Sequence, residues 1–258
     1  LPMTLFKYSG RLLFLSASAQ IMKRQLSGEK ITSSQAGVLR DDVSTDEITP
    51  LPIMTHYDEK LGRYTYTGFK CEDVFPFQTD SVRNGHFSVT IAGSRYGKGS
   101  SREHSPAAEK LAGIKLVIAK SFERIYRQNA DNIGLFTSRG EEITIEQLVA
   151  GRDDLAAEIL KCGGLLAFGQ KYMQQIQVAP QPESTSGKTL FEKIINLHWL
   201  KTPLTSSSPT VAEGGFVRAD RRFIHEYYTG MGVHQLHATF GKPVKLYEPE
   251  SIVLLRLF

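Results

Sequence analysis

Short apolar runs alternate with amphipathic stretches through the first half of the chain. Apolar residues dominate three runs that predict strands, at residues 10–15, 86–92 and 114–119. Helices are predicted over 104–112 and 121–129, and a further short strand over 134–137. A near-continuous apolar run such as 114–119 is typical of a strand that is covered on both faces. The alternation of strands and helices from residue 86 onward predicts an α/β layer.

A change in composition near residue 180 predicts a domain boundary. Proline, serine and glycine are frequent in residues 179–187, which is the composition of a linker. The predicted first domain therefore covers residues 1–178, and a shorter segment covers residues 188–258. In that segment, residues 188–198 have the pattern of an amphipathic helix and residues 252–255 that of an apolar strand.

Three glycines, two adjacent hydroxyls, an arginine, a carboxylate and an imidazole stand in residues 93–104, which we call the glycine loop. Ser105 and Pro106 follow, and these residue types are typical of an N-cap and of the first helical position. The loop is therefore predicted to lie at a corner between a strand and a helix. At such a corner, backbone N–H groups and the positive end of a helix can face an anion.

The spacing of the glycines excludes two kinds of nucleotide-binding loop. A phosphate loop needs four residues between its glycines and a Ser or Thr directly after Lys, whereas Gly99 follows Lys98. The GxGxxG pattern of dinucleotide-binding proteins is absent as well. What the pattern still predicts is a place where backbone N–H groups approach an anionic ligand closely.

Several polar side chains in and near the loop are candidates for chemistry. Ser100 and Ser101 could act only as helix caps, but the planar guanidinium of the adjacent Arg102 is suited to bidentate binding of a carboxylate. We interpret His104 as a structural hydrogen-bonding group, because no second metal ligand lies near it at ligand spacing. His225, which precedes a glutamate, fits either an acid–base pair or a helix start, and the residues leave both open.

Two further segments are predicted from their local pattern. Residues 38–50 are polar with little periodicity, and their Asp, Ser and Thr side chains are typical of a turn-rich surface loop. Residues 56–70 carry three tyrosines around Gly62 and are predicted to form a β-hairpin or meander.

Composition excludes some classes of function. The 258 residues are 41% hydrophobic, enough for one large or two modest domains. The formal net charge of +4, from 31 basic and 27 acidic residues, is too balanced to indicate nucleic-acid binding. Cys71 and Cys162 are too few for a disulfide framework or for the thiolates of an iron–sulfur cluster. No apolar stretch is long enough to span a bilayer and no secretory pattern opens the sequence, so we expect a cytoplasmic location.

Three ordered motifs resemble a known family. Residues 97–104, Gly-Lys-Gly-Ser-Ser-Arg-Glu-His, resemble the signature of the swivelling domain of aconitases and of isopropylmalate dehydratase small subunits. Residues 42–50 resemble the early D-x-x-x-T-D-x-I-x-P segment of that family, and residues 113–129 resemble the strand and helix that follow the signature. Together they cover about a hundred residues in the order that the family uses.

The resemblance implies a fold and an activity. The fold would be α/β, with a three-layer β/β/α swivelling domain over residues 1–178. The complete enzyme would be a hydro-lyase that moves a hydroxyl on a di- or tricarboxylic acid through an alkene intermediate. Its [4Fe–4S] cluster would bind the substrate. The loop that selects the substrate in this family would fall near residues 54–64, which match neither an aconitase nor a leucine-pathway sequence, so the substrate stays open.

The resemblance also implies roles for individual residues. Ser100 would be the catalytic base that takes the proton next to a carboxylate. Ser101 and Arg102 would hold a substrate carboxylate. Asp46 would lie at the edge of the active site, and His225 would contact the substrate.

The end of the chain resembles a different part of the family. Residues 188–194 and 220–226 resemble the opening of the large catalytic subunit, which would make 188–258 a partial α/β segment of that domain. The cluster-binding cysteines of the family are absent from this sequence. A cluster-bearing large domain or subunit is therefore the expected partner, alongside a small carboxylic acid, and the chain alone is expected to be inactive. The alternative is a cluster-free module that binds RNA or protein, or that is only structural.

Overall fold

The computed structural model describes residues 7–100, 102–140, 144–179, 187–205 and 214–255. The chain divides into two compact units, Leu1–Ala150 and Gly151–Phe258. Each unit has its own strands and helices.

A parallel four-stranded sheet forms the centre of the first unit. Its strands pair in chain order: β1 (Arg11–Phe14), β2 (Phe87–Ala92), β3 (Leu116–Ala119) and β4 (Phe136–Ser138). The register places Val89 of β2 opposite Leu12 on one side and Leu116 on the other. The predicted α/β class is confirmed, and so are the strands expected in the apolar runs.

Among the described residues of the first unit, six α-helices accompany this sheet. They are α1 (Ala19–Leu26), α2 (Thr45–Ile48), α3 (Ser81–Asn84), α4 (His104–Ala112), α5 (Arg124–Ile133) and α6 (Ile145–Val149). The helix predicted over 104–112 is confirmed with the same bounds. The next helix begins at Arg124, later than predicted, because the preceding residues bond to the glycine loop: the Ser121 carbonyl accepts from Tyr96 N–H at 3.0 Å, and Glu123 N–H donates to the Tyr96 carbonyl at 2.9 Å.

Both faces of the sheet are covered, which explains why its strands are apolar throughout. One face belongs to a large buried cluster that includes Leu13, Val117 and Tyr126 of α5. The other face packs Val89 and Leu116 against Leu148 of α6. Each fully buried aliphatic side chain contributes about 1.5–3 kcal/mol relative to exposure. These two clusters fix the sheet on which the glycine loop stands.

The prediction of a hairpin over residues 56–70 is wrong. A 3₁₀ turn at Leu51–Thr55 precedes the segment, and a second 3₁₀ turn, Leu61–Tyr64, lies within it. The second turn approaches the backbone of α4 so closely that a Cβ on Gly62 would lie 2.6 Å from the carbonyl carbon of Leu111. This backbone contact against a helix takes the place of strand pairing.

In its described part, the second unit contains four α-helices and two small sheets. Its helices are α7 (Asp154–Lys161), α8 (Leu165–Tyr172), α9 (Leu190–His198) and α10 (Glu226–Phe240). The strands β5 (Gln177–Val178), β6 (Trp199–Lys201) and β7 (Phe216–Val217) form an antiparallel sheet. The strands β8 (Arg222–His225) and β9 (Ile252–Leu255) form a parallel pair.

The division of the sequence into compact units falls at a different residue from the boundary that composition indicated. Strand β5 precedes the predicted linker, yet it pairs with β6, which follows it. The second compact unit begins at Gly151, and the assignment of residues 1–178 to a swivelling domain stays a prediction. Residues 180–186 of the linker lie outside the described residues. The assignment of residues 188–258 to the opening of a large catalytic domain stays a prediction.

Helix α9 confirms the amphipathic helix expected over 188–198. It begins at Leu190, and Thr189 caps it by accepting from Glu192 N–H at 3.2 Å. Four of its five large apolar side chains are exposed: Leu190, Phe191, Ile194 and Leu197. In the part of the chain that the structure describes, no helix is long and apolar enough to cross a membrane.

Candidate active site around the glycine loop

The glycine loop leaves the carboxyl end of β2 and leads into α4. In open α/β sheets, ligands bind outside the carboxyl ends of the strands. The loop and the segment 42–50 bond directly to each other. Gly97 N–H donates to the Val43 carbonyl at 2.9 Å, and Thr45 N–H donates to the Lys98 carbonyl at 2.8 Å. The structure thus brings together two motifs that stand about fifty residues apart in the sequence.

The segment predicted as a surface loop carries a capped helical turn, α2. Ser44 Oγ accepts from Glu47 N–H at 3.2 Å, and Ser44 N–H donates to Glu47 Oε2 at 2.8 Å. This is a capping box, and the Ser-x-x-Glu spacing of residues 44–47 was the sequence signal for it. Arg40 adds an ion pair to the Glu47 carboxylate at 2.9 Å. Asp46 therefore stands on a fixed turn.

Thr45, which sequence analysis did not identify, bonds to Ser100 in the glycine loop and to Ser105, the residue that follows the loop. Its Oγ1 accepts from Ser100 N–H at 3.1 Å, and its carbonyl accepts from Ser105 Oγ at 3.0 Å. The predicted N-cap role of Ser105 is wrong, because α4 begins at His104 and Glu103 stands at the N-cap position. Thr45 itself is buried, so the backbone at Ser100 is held from below while the Ser100 side of the loop remains exposed.

Arg102 and Asp46, two of the predicted site residues, form an ion pair between Nη1 and Oδ1. The side chain of Arg102 is only 13% exposed, whereas that of Asp46 is 61% exposed. The guanidinium is thus held in the protein surface, and its carboxylate partner faces water. Ser101, the remaining predicted residue of this loop, lies outside the described residues.

His104 is buried at the start of α4. Burial lowers the pKa of its imidazole, the charge of Arg102 lowers it further, and a hydrogen bond to the Met54 backbone opposes both effects. The pKa is lowered from a usual value already below 7, so the ring is neutral at pH 7. This supports the interpretation of His104 as a structural group, and it connects the loop to the turn at Leu51–Thr55.

Beneath the loop lies a buried carboxyl group that sequence analysis missed. Glu109 of α4 is 0% exposed. The hydroxyls of Tyr66 and Tyr96 both lie 2.5 Å from its Oε1, and the hydroxyl of Tyr126 donates to its Oε2. Burial raises the pKa of Glu109 to about 7, and the hydrogen bonds from Tyr126, Tyr66 and Tyr96 offset this only in part. No local sequence motif indicates this cluster, because its members come from four separate segments of the chain.

His225 ends β8 in the second unit, directly before α10. Its ring centroid lies 6.4 Å from that of Tyr228. It is therefore a residue of the other compact unit, and its predicted contact with substrate stays a prediction.

The residues present do not fit an iron–sulfur cluster. Cys71, which is buried in the core of the first unit, and Cys162 are the two cysteines of the sequence, and two thiols are fewer than the three or four thiolates that a cluster needs. Among the described residues, no group of three or more His, Cys, Asp and Glu side chains could hold a metal ion.

Comparison with known proteins gives a consistent set of relatives. The family model of the aconitase C-terminal domain matches residues 53–141, which include Ser100 and Arg102. The chain is 42% identical over 136 residues to the 3-isopropylmalate dehydratase small subunit 2 of Methanopyrus kandleri. This match covers 51% of the present chain and 76% of that protein. It is 34% identical over 165 residues to the small subunit from Helicobacter hepaticus, covering 62% of this chain and 89% of that one.

Among solved structures, a crystal structure of 3-isopropylmalate dehydratase from Methanocaldococcus jannaschii is 31% identical, with a TM-score of 0.39. The match covers 51% of this chain and 88% of that one. The sequence relatives are dehydratase small subunits, which supports a role in a hydro-lyase family. On the identity and coverage of those relatives, the chain belongs to the aconitase and isopropylmalate dehydratase superfamily.

Proposed function

We propose that this chain supplies the serine base and the carboxylate-binding loop of a hydro-lyase that acts on a hydroxy di- or tricarboxylic acid. The observation that carries the proposal is the largely buried guanidinium of Arg102, which stands two residues after Ser100 in the glycine loop and pairs with the exposed carboxylate of Asp46. A site that already holds one carboxylate on an arginine is suited to holding another.

Arg102 is the anchor for the substrate in this proposal. An arginine presents parallel N–H donors that match a carboxylate in two bonds. Asp46 is the more exposed partner and can swing into water, so an incoming carboxylate can take its place. The hydroxyl of Ser101 would donate a hydrogen bond to the same carboxylate.

Ser100 is the proposed base. Its oxygen would take a proton from the carbon next to the bound carboxylate, and the electron pair of that C–H bond would form the alkene as the hydroxyl leaves. A serine oxygen accepts a proton well only as an alkoxide, so backbone N–H groups of the glycine loop other than those of Gly97, Lys98 and Ser100, which already donate to Val43 and Thr45, would have to stabilise that charge. Thr45 holds the backbone at this point through the Ser100 N–H.

The complete enzyme would need a cluster-bearing large domain or subunit, since the described residues offer no set of ligands for a cluster. His225 and the segment near 54–64 are the proposed further contacts to substrate. The free thiols of Cys71 and Cys162 agree with the reducing cytoplasm that we propose for this chain.

The test of the proposed activity is reconstitution. We expect the chain, combined with a cluster-loaded large subunit of an isopropylmalate dehydratase, to form an alkene product from a hydroxy dicarboxylic acid, followed by its ultraviolet absorbance. Isopropylmalate, citrate and malate would be compared. Absence of alkene with all three acids, while the large subunit is active with its own small subunit, would contradict the proposal.

Replacement of Arg102 by glutamine is expected to weaken binding of a dicarboxylate by about 10- to 100-fold, because a charge-assisted pair is worth about 1.5–3 kcal/mol. Calorimetric titration of the chain with the acid measures this directly. Arg95→Gln is the matched control: Arg95 lies in the same loop, but its guanidinium pairs with Asp42 at 3.3 Å and Glu123 at 3.4 Å. Equal weakening by both substitutions would mean that the loop attracts acids by general charge only.

A further inference from the structure

His198 joins three parts of the second unit at one point. It is the last residue of α9, and Trp199, the next residue, begins β6. The carbonyl of His198 accepts from Arg218 N–H at 2.7 Å, next to the pair that Trp199 forms with Val217 of β7. The imidazole of His198 reaches Asp220, which lies two residues before β8. The ring therefore connects the end of a helix with the segment that enters β8.

Both ring nitrogens of His198 face oxygens that can only accept a hydrogen bond. Nδ1 lies 2.8 Å from the carbonyl oxygen of Ile194, one turn earlier in α9. Nε2 lies 3.0 Å from Asp220 Oδ2. A carbonyl oxygen carries no hydrogen and an ionised carboxylate only accepts, so both nitrogens must donate. A neutral imidazole has one N–H and an imidazolium has two, so both bonds form together only when the ring is charged.

The surroundings of the ring favour its charged form. The ring lies at the carboxyl end of α9, where the helix dipole stabilises a cation. The hydrogen bond to the Ile194 carbonyl raises the pKa of His198, and the hydrogen bond and charge of Asp220 raise it as well. Burial and the charge of Arg218 lower the pKa of His198, but they do not cancel these effects. The electrostatics therefore agree with the number of donors that the geometry requires.

Two charged side chains among the described residues face the ring, Asp220 and Arg218. Arg218 Nη2 lies 3.7 Å from Oδ1, the other oxygen of the Asp220 carboxylate, which is beyond hydrogen-bonding distance. A guanidinium keeps its charge throughout the range in which a histidine titrates. The ion pair between Arg218 and Asp220 is therefore present at either state of the ring, and the contact that changes with pH is the one made by His198.

We propose that the His198 imidazolium is a pH-sensitive clamp that holds the segment entering β8 against the end of α9. When the ring loses a proton, one of its nitrogens turns a lone pair toward an oxygen, and one of its two bonds breaks. The end of α9 and Asp220 are then no longer joined through the ring. Strand β8 ends at His225, so the clamp acts on the strand that carries that residue. The clamp does not depend on the proposed function of the glycine loop.

Proton linkage gives the direction of the effect. The pKa of His198 is raised in the folded state above its ordinary value of about 6.5, so the folded chain holds a proton that the unfolded chain releases more readily. The stabilisation is fully present below a pH of about 6.5, and it is lost as the pH rises through the raised pKa of the folded state. Between these two pKa values, the equilibrium constant for unfolding rises by up to about tenfold per pH unit.

Urea unfolding of the full chain, followed by tryptophan fluorescence, tests the clamp. Trp199 is the single tryptophan of the sequence, it adjoins His198 and it is buried. It packs so closely on Gly215 that a Cβ there would overlap its ring, so its fluorescence reports on the second unit. Above a pH of about 6.5, we expect the unfolding constant of the wild type to rise more steeply with pH than that of His198→Gln, by up to about tenfold per pH unit.

His237→Gln is the matched control for that substitution. His237 lies in α10 of the same unit, and its carbonyl accepts from Gly241 N–H at 3.0 Å, a bond that does not use the ring. This variant should keep the dependence on pH of the wild type. The inference would be overturned if the unfolding constant of His198→Gln kept the same dependence on pH, or if His237→Gln lost it equally.

Nitrogen NMR of the histidine rings provides a second test, which needs no substitution at His198. We expect both ring nitrogens of His198 to carry hydrogen at pH 6 and the titration midpoint of the ring to lie above about 6.5. Asp220→Asn keeps an oxygen that can accept from Nε2 but removes the negative charge, so it should lower that midpoint. A wild-type midpoint at or below about 6.5, or a midpoint that Asp220→Asn leaves unchanged, would contradict the clamp.

Discussion

Replacement of Ser100 by alanine is expected to lower kcat by about 10²- to 10⁴-fold in the reconstituted enzyme, the usual contribution of a general acid–base group. The substitution removes the proposed base and leaves the substrate anchor at Arg102 in place, so KM should change little. The fold should also survive, because the bond that Ser100 makes to Thr45 uses its backbone N–H, which alanine retains. Initial rates and thermal unfolding would be measured on the same preparations.

Ser94→Ala provides the control for this experiment. Ser94 lies at the other end of the same loop, and its structural bonds use its backbone: its N–H donates to Asp41 Oδ1 at 2.6 Å, and its carbonyl accepts from Asp42 N–H at 2.9 Å. We expect wild-type turnover from this variant. If Ser100→Ala also retained wild-type turnover, Ser100 would not be the base.

Replacement of Gly97 by alanine is expected to cost roughly 2–5 kcal/mol of folding stability. The residue has φ of +81° and its Cβ would lie 2.2 Å from the Tyr126 ring. A side chain in the left-handed region costs about 1–2 kcal/mol, and overpacking of a filled core adds about 1–3 kcal/mol. Urea denaturation followed by circular dichroism would measure the loss.

Gly99→Ala separates these two effects. Gly99 also has positive φ, +104°, but the nearest atom to its Cβ would be Thr45 Oγ1 at an ordinary 3.5 Å. Only the conformational cost of about 1–2 kcal/mol should remain. Equal losses from the two substitutions would mean that the ring of Tyr126 yields to the added methyl group, and that the loop rests on it less firmly than the contact implies.

The alternation of strands and helices was predictable because it depends on local pattern. The apolar run at 114–119 becomes a strand since helices cover both faces of its sheet. The start of α5 was not predictable, because Ser121 and Glu123 bond to Tyr96, a residue outside the local pattern. The hairpin prediction for residues 56–70 was wrong for the same reason. The contact between Gly62 and α4 is a tertiary contact, and the local pattern of tyrosines does not encode it.

The residues of the candidate site were likewise predictable only where they stand in a local motif. Ser100 and Arg102 were found because they stand in one motif, and the resemblance of residues 42–50 to the family brought in Asp46. Glu109 was not predicted as part of the site, since a glutamate in a helix is ordinarily a solvated residue. Its burial depends on tyrosines that lie 43, 13 and 17 residues away in sequence.

The contacts of Thr45 limit how this loop could be moved between proteins. Its N–H, hydroxyl and carbonyl bond to the loop before, at and after Ser100, at Lys98, Ser100 and Ser105. A chimaera that received residues 93–105 alone would carry the sequence of the site without Thr45, whose bonds hold the backbone of the loop. Residues 42–50 and 93–105 therefore constitute one transplantable unit, and an engineered scaffold needs both.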